Sequence, residues 1–271
     1  MKTIINTLLT LLLLTSTVFS ESKESQAPRV LILVAEHEYE TFDTLPELSK
    51  KYLVPSGCKV DIFIAEQKKS KYAKDKTTFP GIEKVIDKAD VIILSVRRRQ
   101  LPEKTMSAIR KHLDQGKGMV SIRTSVSAFQ PVPAHKQDID KLKAPEGYAK
   151  WDYFGQEVLA CSYNGHGKNL AYPVSVSKEK ADHPILKGLD MKQGNKIYHV
   201  LPLLRGATPL LYGKDPETGK NQPIIWTVDY GKNKAPIVVL SCGTQEDFKQ
   251  QGFYTMVKNA TYWAAEKSAK K

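Results

Sequence analysis

The chain has 271 residues, of which 41% are hydrophobic and 26% charged, with a formal net charge of +12. This balance supplies one extensive core and excludes a disordered chain, a coiled coil, a collagen-like repeat and a small disulfide scaffold.

Residues 1–20 are of a different kind from the rest. Lys2 provides a positive start, residues 4–14 are an apolar run containing four consecutive leucines, and residues 15–20 are a small-residue exit with Val18 and Ser20 placed for cleavage after Ser20. The run is too short to span a bilayer and lacks a charged stop-transfer flank, so the expectation is a signal peptide and an exported, periplasmic or secreted protein. The alternative is an uncleaved anchor. No second long apolar stretch follows, which predicts no stable membrane insertion after cleavage. The lysines are scattered, as at residues 68–71 and 267–271, with no basic stripe interleaved with aromatics, so a solvated basic surface is expected and no nucleic-acid partner. Cys58, Cys161 and Cys242 form no C-x-x-C pair and read as small buried residues.

After a polar linker, 21–27, strand-like and helix-like segments alternate. Residues 29–35 are a continuous apolar run suited to a strand buried on both faces. Thr44 and Glu47 have capping-box spacing, predicting a helix from there to about Tyr52. A strand is predicted over 59–65, a short helix over 81–88 and a buried strand over 90–96. Pro102 opens a helix with Met106, Ile109 and Leu113 on one face and Gly116 at its stop. A fourth strand covers 119–122. This order implies an α/β fold with a mostly parallel, doubly wound sheet. Residues 129–147 read as loop. A β-rich insertion follows, with strands at 171–177, 197–203, 209–212 and 223–228. Residues 236–241 return to a buried strand, and Phe253, Val257, Ala260 and Ala264 repeat at helical spacing. One domain over 28–266, followed by a basic tail 267–271, fits better than two.

Ligands of open α/β sheets bind beyond the carboxyl ends of the strands. There the sequence places Glu36, His37 and Glu38 after the first strand, the run Arg97, Arg98 and Arg99 after the third, Arg123, Thr124 and Ser125 after the fourth, and Thr244, Glu246 and Asp247 after the last buried strand. Glu36 or Glu38 is read either as an acid–base group or as the partner of an arginine in a structural ion pair. At least one arginine of 97–99 is expected to face inward, where a guanidinium fork binds carboxylates or polar oxygens. In the insertion, Tyr163 and Asn164 precede His166, which lies between Gly165 and Gly167. Flanking glycines let a group approach the imidazole, as a base or a metal ligand requires; a glycine-rich turn is the competing reading. His183, before Pro184, is read as structural.

Residues 36–41 (Glu-His-Glu-Tyr-Glu-Thr), 95–99 (Ser-Val-Arg-Arg-Arg), 118–124, Glu157 followed by Tyr-Asn-Gly-His at 163–166, Asp-His-Pro-Ile-Leu-Lys-Gly at 182–188, 223–226 and 243–248, taken in order, resemble the ThuA-like (trehalose-utilisation) family. The resemblance runs from about residue 29 to 266. It implies a class I glutamine-amidotransferase-like, flavodoxin-like fold and a part in the use of sugars or keto-sugars. Amidotransferases of this fold present a nucleophilic cysteine at a strand-to-helix elbow. Here that place falls at Arg123, so no glutaminase is expected. Many relatives carry a histidine where this chain has Thr244, which removes any step or metal site needing that imidazole. The sequence assigns no metal and no cofactor.

These readings combine into an exported protein acting on a carbohydrate or keto-sugar by acid–base chemistry, whether isomerisation, elimination or hydrolysis. His166, Glu36 and Glu38 are the candidate catalytic groups. Arg98, Arg99, Arg123, Thr124, Ser125, Tyr163, Thr244 and Asp247 are the candidate substrate-binding groups, with Trp151 or Tyr163 available for packing on a sugar ring. The alternative is a non-catalytic sugar-binding or scaffold protein on the same fold.

Overall fold

The computed structural model describes residues 27–65, 79–130, 143–204 and 206–270. The leader and nearly all of the linker lie outside the described residues, as does most of the loop expected over 129–147.

The apolar runs became the sheet. Strands β1 (Arg29–Ala35), β2 (Lys59–Ile64), β3 (Val91–Val96), β5 (Gly118–Ile122) and β11 (Ala235–Leu240) pair in parallel in the order β2-β1-β3-β5-β11. From β11 the sheet continues antiparallel through β10 (Asn221–Tyr230), β9 (Thr208–Lys214), β7 (Ala171–Val176) and β8 (Gln193–Asn195), nine strands in all. A two-stranded ribbon pairs β4 (Leu101–Pro102) with β6 (Tyr148–Ala149). The fold is α/β with a mixed, mostly parallel core and a β-rich extension.

Alternation along each central strand divides its side chains between two cores. Leu31, Leu33, Ile92, Leu94, Ile237 and Val239 pack on one face with Met106, Ile109 and Leu113 of α2 (Glu103–Asp114). Val30, Ile32, Val34, Val120, Ile122, Val238 and Leu240 pack on the other. That second face is covered by Leu45 and Leu48 of α1 (Thr41–Leu48) and by Phe253, Val257, Ala260 and Ala264 of α5 (Gln251–Ala269). Full burial of such side chains contributes roughly 1.5–3 kcal/mol each, so covering both faces accounts for the continuous apolar composition of β1, β3 and β11.

Four expectations change. The first helix starts at Thr41, three residues before the Thr44 cap, and continues through a π turn, Ser49–Leu53, and a 3-10 turn, Val54–Ser56. Its start is set by Glu36, whose carboxylate takes the Thr41 N–H at 2.9 Å, while the Thr44 hydroxyl only returns to the Glu40 carbonyl. Residues 81–88 form two 3-10 turns, Ile82–Lys84 and Ile86–Lys88, in place of a helix. Residues 197–203 are no strand: they make only isolated bridges, His166 with Tyr198 and Cys161 with Leu203. Of the expected basic tail, residues 267–269 belong to α5, where Lys267 pairs with Asp229 at 2.6 Å, and residue 271 lies outside the described residues. A short helix α3 (Phe154–Glu157) and the turn α4 (Gln245–Phe248) complete the elements used below.

No helix among the described residues is long and apolar enough to cross a membrane. Cys58, Cys161 and Cys242 are free and buried, and burial pushes the Cys161 thiol up to about 12.

Candidate functional site

The loop after β1 is built around one carboxylate. Glu36 is buried and accepts the N–H groups of Glu38 (2.7 Å), Tyr39 (3.0 Å) and Thr41 (2.9 Å), plus the Thr41 hydroxyl, which also contacts the Ser95 hydroxyl at 2.8 Å. A carboxylate so surrounded by donors organises a loop and has little left for a substrate. Glu38, next along, points outward, paired with Arg97 and 3.9 Å from the Lys196 ammonium. Of the arginine run, Arg99 is the inward one: it donates to the Ala35 carbonyl (3.4 Å) and lies 2.8 Å from His37 Nε2. Burial, then Arg99, lowers the His37 pKa and leaves it neutral. Arg98 has φ 51° and sits half-buried, its N–H on the Ser127 carbonyl.

Arg123 occupies the elbow beyond β5 and keeps a left-handed backbone, φ 42°, although it is no nucleophile. It is 1% exposed. Its fork donates to the Ser241 carbonyl at 2.9 Å and the Lys196 carbonyl at 2.7 Å, with the Tyr39 hydroxyl at 3.4 Å, while Nε has no partner among the described residues. The guanidinium lies 4.5 Å from the centre of the Tyr39 ring and 4.0 Å from that of Tyr198, a cation–π sandwich. Arg123, expected among the substrate-binding groups, instead commits its fork to backbone carbonyls, whereas the structural ion pair read for Glu36 or Glu38 forms between Glu38 and Arg97. Ser125 also faces inward, donating to the Leu94 carbonyl and accepting the Val96 N–H. Thr124 is buried, with its hydroxyl unpartnered among the described residues.

Beyond β11, Thr244 caps α4, and Asp247 accepts the N–H groups of Gly243 (2.7 Å), Thr244 (2.8 Å) and Asn195 (3.1 Å). Burial raises the Asp247 pKa despite these donors. The pair forms a capping box that also ties β8 to the loop after β11.

The open groups come from the insertion. His166 is exposed, and its Nδ1 lies 2.8 Å from the Gly167 carbonyl, which makes Nδ1 the donor and leaves Nε2 an unbonded acceptor among the described residues. Its ring stacks on Tyr198 at 6.3 Å, and Tyr163 lies against the same Tyr198 at 4.8 Å. Burial, then Tyr39, raises the Tyr163 pKa, so its hydroxyl stays a neutral donor. The glycines beside His166 serve different ends. Gly165 has φ 114° and open space at its Cβ position, whereas a Cβ on Gly167 would lie 3.2 Å from Ile197 Cγ2. Only Gly165 leaves room for an approaching ligand.

His166, Tyr163, Glu38, Arg97 and Lys196 therefore form one polar surface above the buried Tyr39, Tyr198 and Arg123. Glu36, Arg99, Ser125, Thr244 and Asp247 face into the protein and hold that surface in place. Trp151, expected as a sugar platform, is instead in the core beside Phe154, with Arg110 over its ring at 3.6 Å and its indole N–H on Glu157 at 2.6 Å. His183 is structural, accepting the Ile185 N–H and lying against Trp263.

Sequence reasoning missed Tyr39, Tyr198 and Lys196, and also a second imidazole. His199 Nε2 is 3.1 Å from buried Asp215, whose carboxylate also accepts the Thr218 hydroxyl and the Glu217 N–H. Burial opposes the charge of Asp215, but these donors outweigh it and hold the pKa low. Placing 197–203 in a strand hid this pair. No cluster of three His, Cys, Asp or Glu suited to a metal occurs among the described residues.

Comparison with known proteins adds the following. The family model described as ThuA, trehalose utilisation, matches residues 29–264. A ThuA-like protein of Parabacteroides merdae has a similar structure, with a TM-score of 0.58 and 18% identity over 88% of this chain and 90% of that one. One from Bacteroides uniformis gives 0.59 and 17%, over 90% and 94%. No curated protein matches.

Proposed function

The chain belongs to the ThuA family, and from that premise we propose that it is an exported protein acting on a carbohydrate or keto-sugar by acid–base chemistry, with His166 as the proton-moving group. Membership supports a carbohydrate-related role. The reaction, the residues and the export are our reading.

The observation that carries it is the imidazole of His166. With Nδ1 engaged by its neighbour's carbonyl, Nε2 is a preset base, and half-buried Tyr163 beside it offers a ring and a hydroxyl to a sugar, while buried Tyr198 backs both rings. It takes a proton from a carbon next to a carbonyl, or exchanges one at a glycosidic oxygen. Arg97 and Lys196 sit where they would hold negative charge developing on a sugar oxygen, with Glu38 keeping both in place. Arg123, inaccessible below, does not take that role and acts as the floor. Glutamine hydrolysis has no support, since an arginine holds the elbow and burial pushes the Cys242 thiol upward.

The test is turnover of trehalose and its keto-derivatives by wild type and His166→Ala. We expect the variant to lose roughly a hundredfold or more in rate, the usual worth of a general base, with an unchanged melting temperature. Turnover at the wild-type rate would sink the assignment. For export, N-terminal sequencing of secreted material should begin near Glu21, and retention of residues 11–14 would mean an anchor instead.

A second reading, a non-catalytic sugar-binding or scaffold protein, draws on the closed elbow, where two tyrosines cover the catalytic position of the fold. Sugar binding without turnover, in wild type and variant alike, would select it.

A further inference from the structure

On the same sheet edge, beyond Tyr39, the chain builds a second concavity. It lies between α1 and the corner where α4 meets α5, has a volume of about 500 Å³, and is lined by Glu40, Thr44, Tyr52, Gln245, Gln251 and Tyr254 among others. That size is in the range of small-molecule sites, and the ends of β1 and β11 are where open α/β sheets place ligands. It shares no lining residue with the His166 surface.

Tyr52 lines the groove half-buried and is backed by buried Tyr254 and Phe248. Tyr52 and Tyr254 stack with centroids 4.8 Å apart and planes 6° from parallel, and Phe248 meets Tyr254 edge-on at 5.5 Å. The Tyr254 hydroxyl is bound to Glu47, which also pairs with Lys51 at 2.5 Å, so Glu47 is already engaged. The rim differs. Among the described residues, no hydrogen bond engages the side chains of Glu40, Gln245 or Gln251. Glu40 holds φ 55°, a left-handed backbone unfavourable for glutamate, and it persists because Glu36 pins the residues on both sides.

The lining selects a ligand class. A carboxylate accepts, two amides both donate and accept, and beside them is one half-buried aromatic ring, Tyr52, held rigid by its stack on Tyr254. An apolar ligand would strip water from Glu40 and both amides without replacing its hydrogen bonds. An anion would face Glu40 and Glu47, and the lining cation Lys249 is already held by Glu246 at 2.7 Å. A neutral ring with alternating C–H faces and hydroxyls satisfies every group.

We propose that this groove is a second carbohydrate subsite, which binds a neutral sugar unit independently of His166. The proposal rests on the carbohydrate reading for its choice of probe, and the experiment separates the two.

The full exported chain, labelled with fluorotyrosine, is titrated with trehalose and with glucose, and the NMR resonances of Tyr52, Tyr254 and Tyr163 are assigned by Tyr→Phe replacement. We expect sugar to shift Tyr52 and Tyr254. The double variant Glu40→Gly/Gln245→Ala should weaken that response about tenfold, the worth of two ordinary hydrogen bonds, with an unchanged melting temperature. Glycine at position 40 keeps the left-handed backbone without strain. His166→Ala should leave the Tyr52 and Tyr254 response as it was. A shift confined to Tyr163 overturns the groove and leaves the proposed function standing. A groove response in the absence of any at Tyr163 supports the groove and counts against the His166 site. No response at either place overturns both. Tyr52 and Tyr254 shifts that the double variant does not weaken, or that choline reproduces while sugars do not, also overturn the groove.

Discussion

The fork of Arg123 is divided between a carbonyl at the end of β11 and a carbonyl in the insertion, so one side chain joins two parts of the chain far apart in sequence. Lysine at this position keeps the charge but offers one nitrogen in place of a planar fork, and leaves a buried carbonyl without its donor. We expect Arg123→Lys to lower unfolding stability by about 2–4 kcal/mol, the range for breaking a buried charged interaction, with sugar affinity unchanged; denaturant titration and a binding curve on the one variant check both. Weaker binding at unchanged stability would mean that the fork reaches the ligand after all. The sequence put Arg123 directly after a buried strand, where it is found, because the apolar run 119–122 marks that strand's end. It could not show that the donors turn inward, since a guanidinium reads the same whether its partner is a substrate or a carbonyl more than seventy residues away. Glu36 and Glu38 are alike for the same reason: two residues apart, one organises a loop and the other faces out, and only the loop's N–H groups decide which.

Elements were legible where one face or both had to be apolar. β1, β3 and α5 follow from composition and spacing, and Phe253, Val257, Ala260 and Ala264 are all fully buried. The first helix was misplaced because a carboxylate five residues before it, and not its own threonine, sets its start. Segment 197–203 was misread because its apolar residues pack against two different neighbours without forming a ladder. At the first turn of α5, a Cβ on Gly252 would lie 2.2 Å from the Asp190 carbonyl oxygen. Helix propensity alone would make Gly252→Ala stabilising by about 1 kcal/mol; the contact predicts the opposite sign, a loss of about 1–3 kcal/mol from overpacking, readable as a lower denaturation midpoint. In α2, burial lowers the His112 pKa to about 4, with Nε2 3.0 Å from the Gly118 carbonyl. The unfolded chain binds a proton near pH 6.5 that the folded one refuses until about 4. Stability is therefore fully present above 6.5 and is lost as pH falls through this window, by up to about 3 kcal/mol from this group. His112→Gln should flatten that slope in unfolding curves measured at pH 4 to 7; an unchanged slope would assign it to other groups.

At the scale of the molecule, the position of β11 governs how the fold can be made. It lies between β5 and β10, so it joins the parallel half of the sheet to the antiparallel half. Yet β5 ends at Ile122, and β11 begins only at Ala235. A nascent chain emerging from its N-terminus can assemble β1, β2, β3 and β5, but the outer edge of β5 must wait while the whole insertion is synthesised. During that interval an apolar strand stands unpaired, and unpaired edges recruit wrong partners. A chain ending at Lys234 should therefore remain protease-sensitive and prone to aggregate, whereas the full chain becomes resistant in one step. Limited proteolysis of arrested chains of increasing length would show it, and resistance arising well before residue 235 would mean that the parallel half is stable alone. Refolding should be slow by the same logic, because the central pairing is the one of longest loop closure. The last strand made is thus the keystone, and the interval before its arrival is when a cell could still thread this chain, unfolded, through a narrow channel.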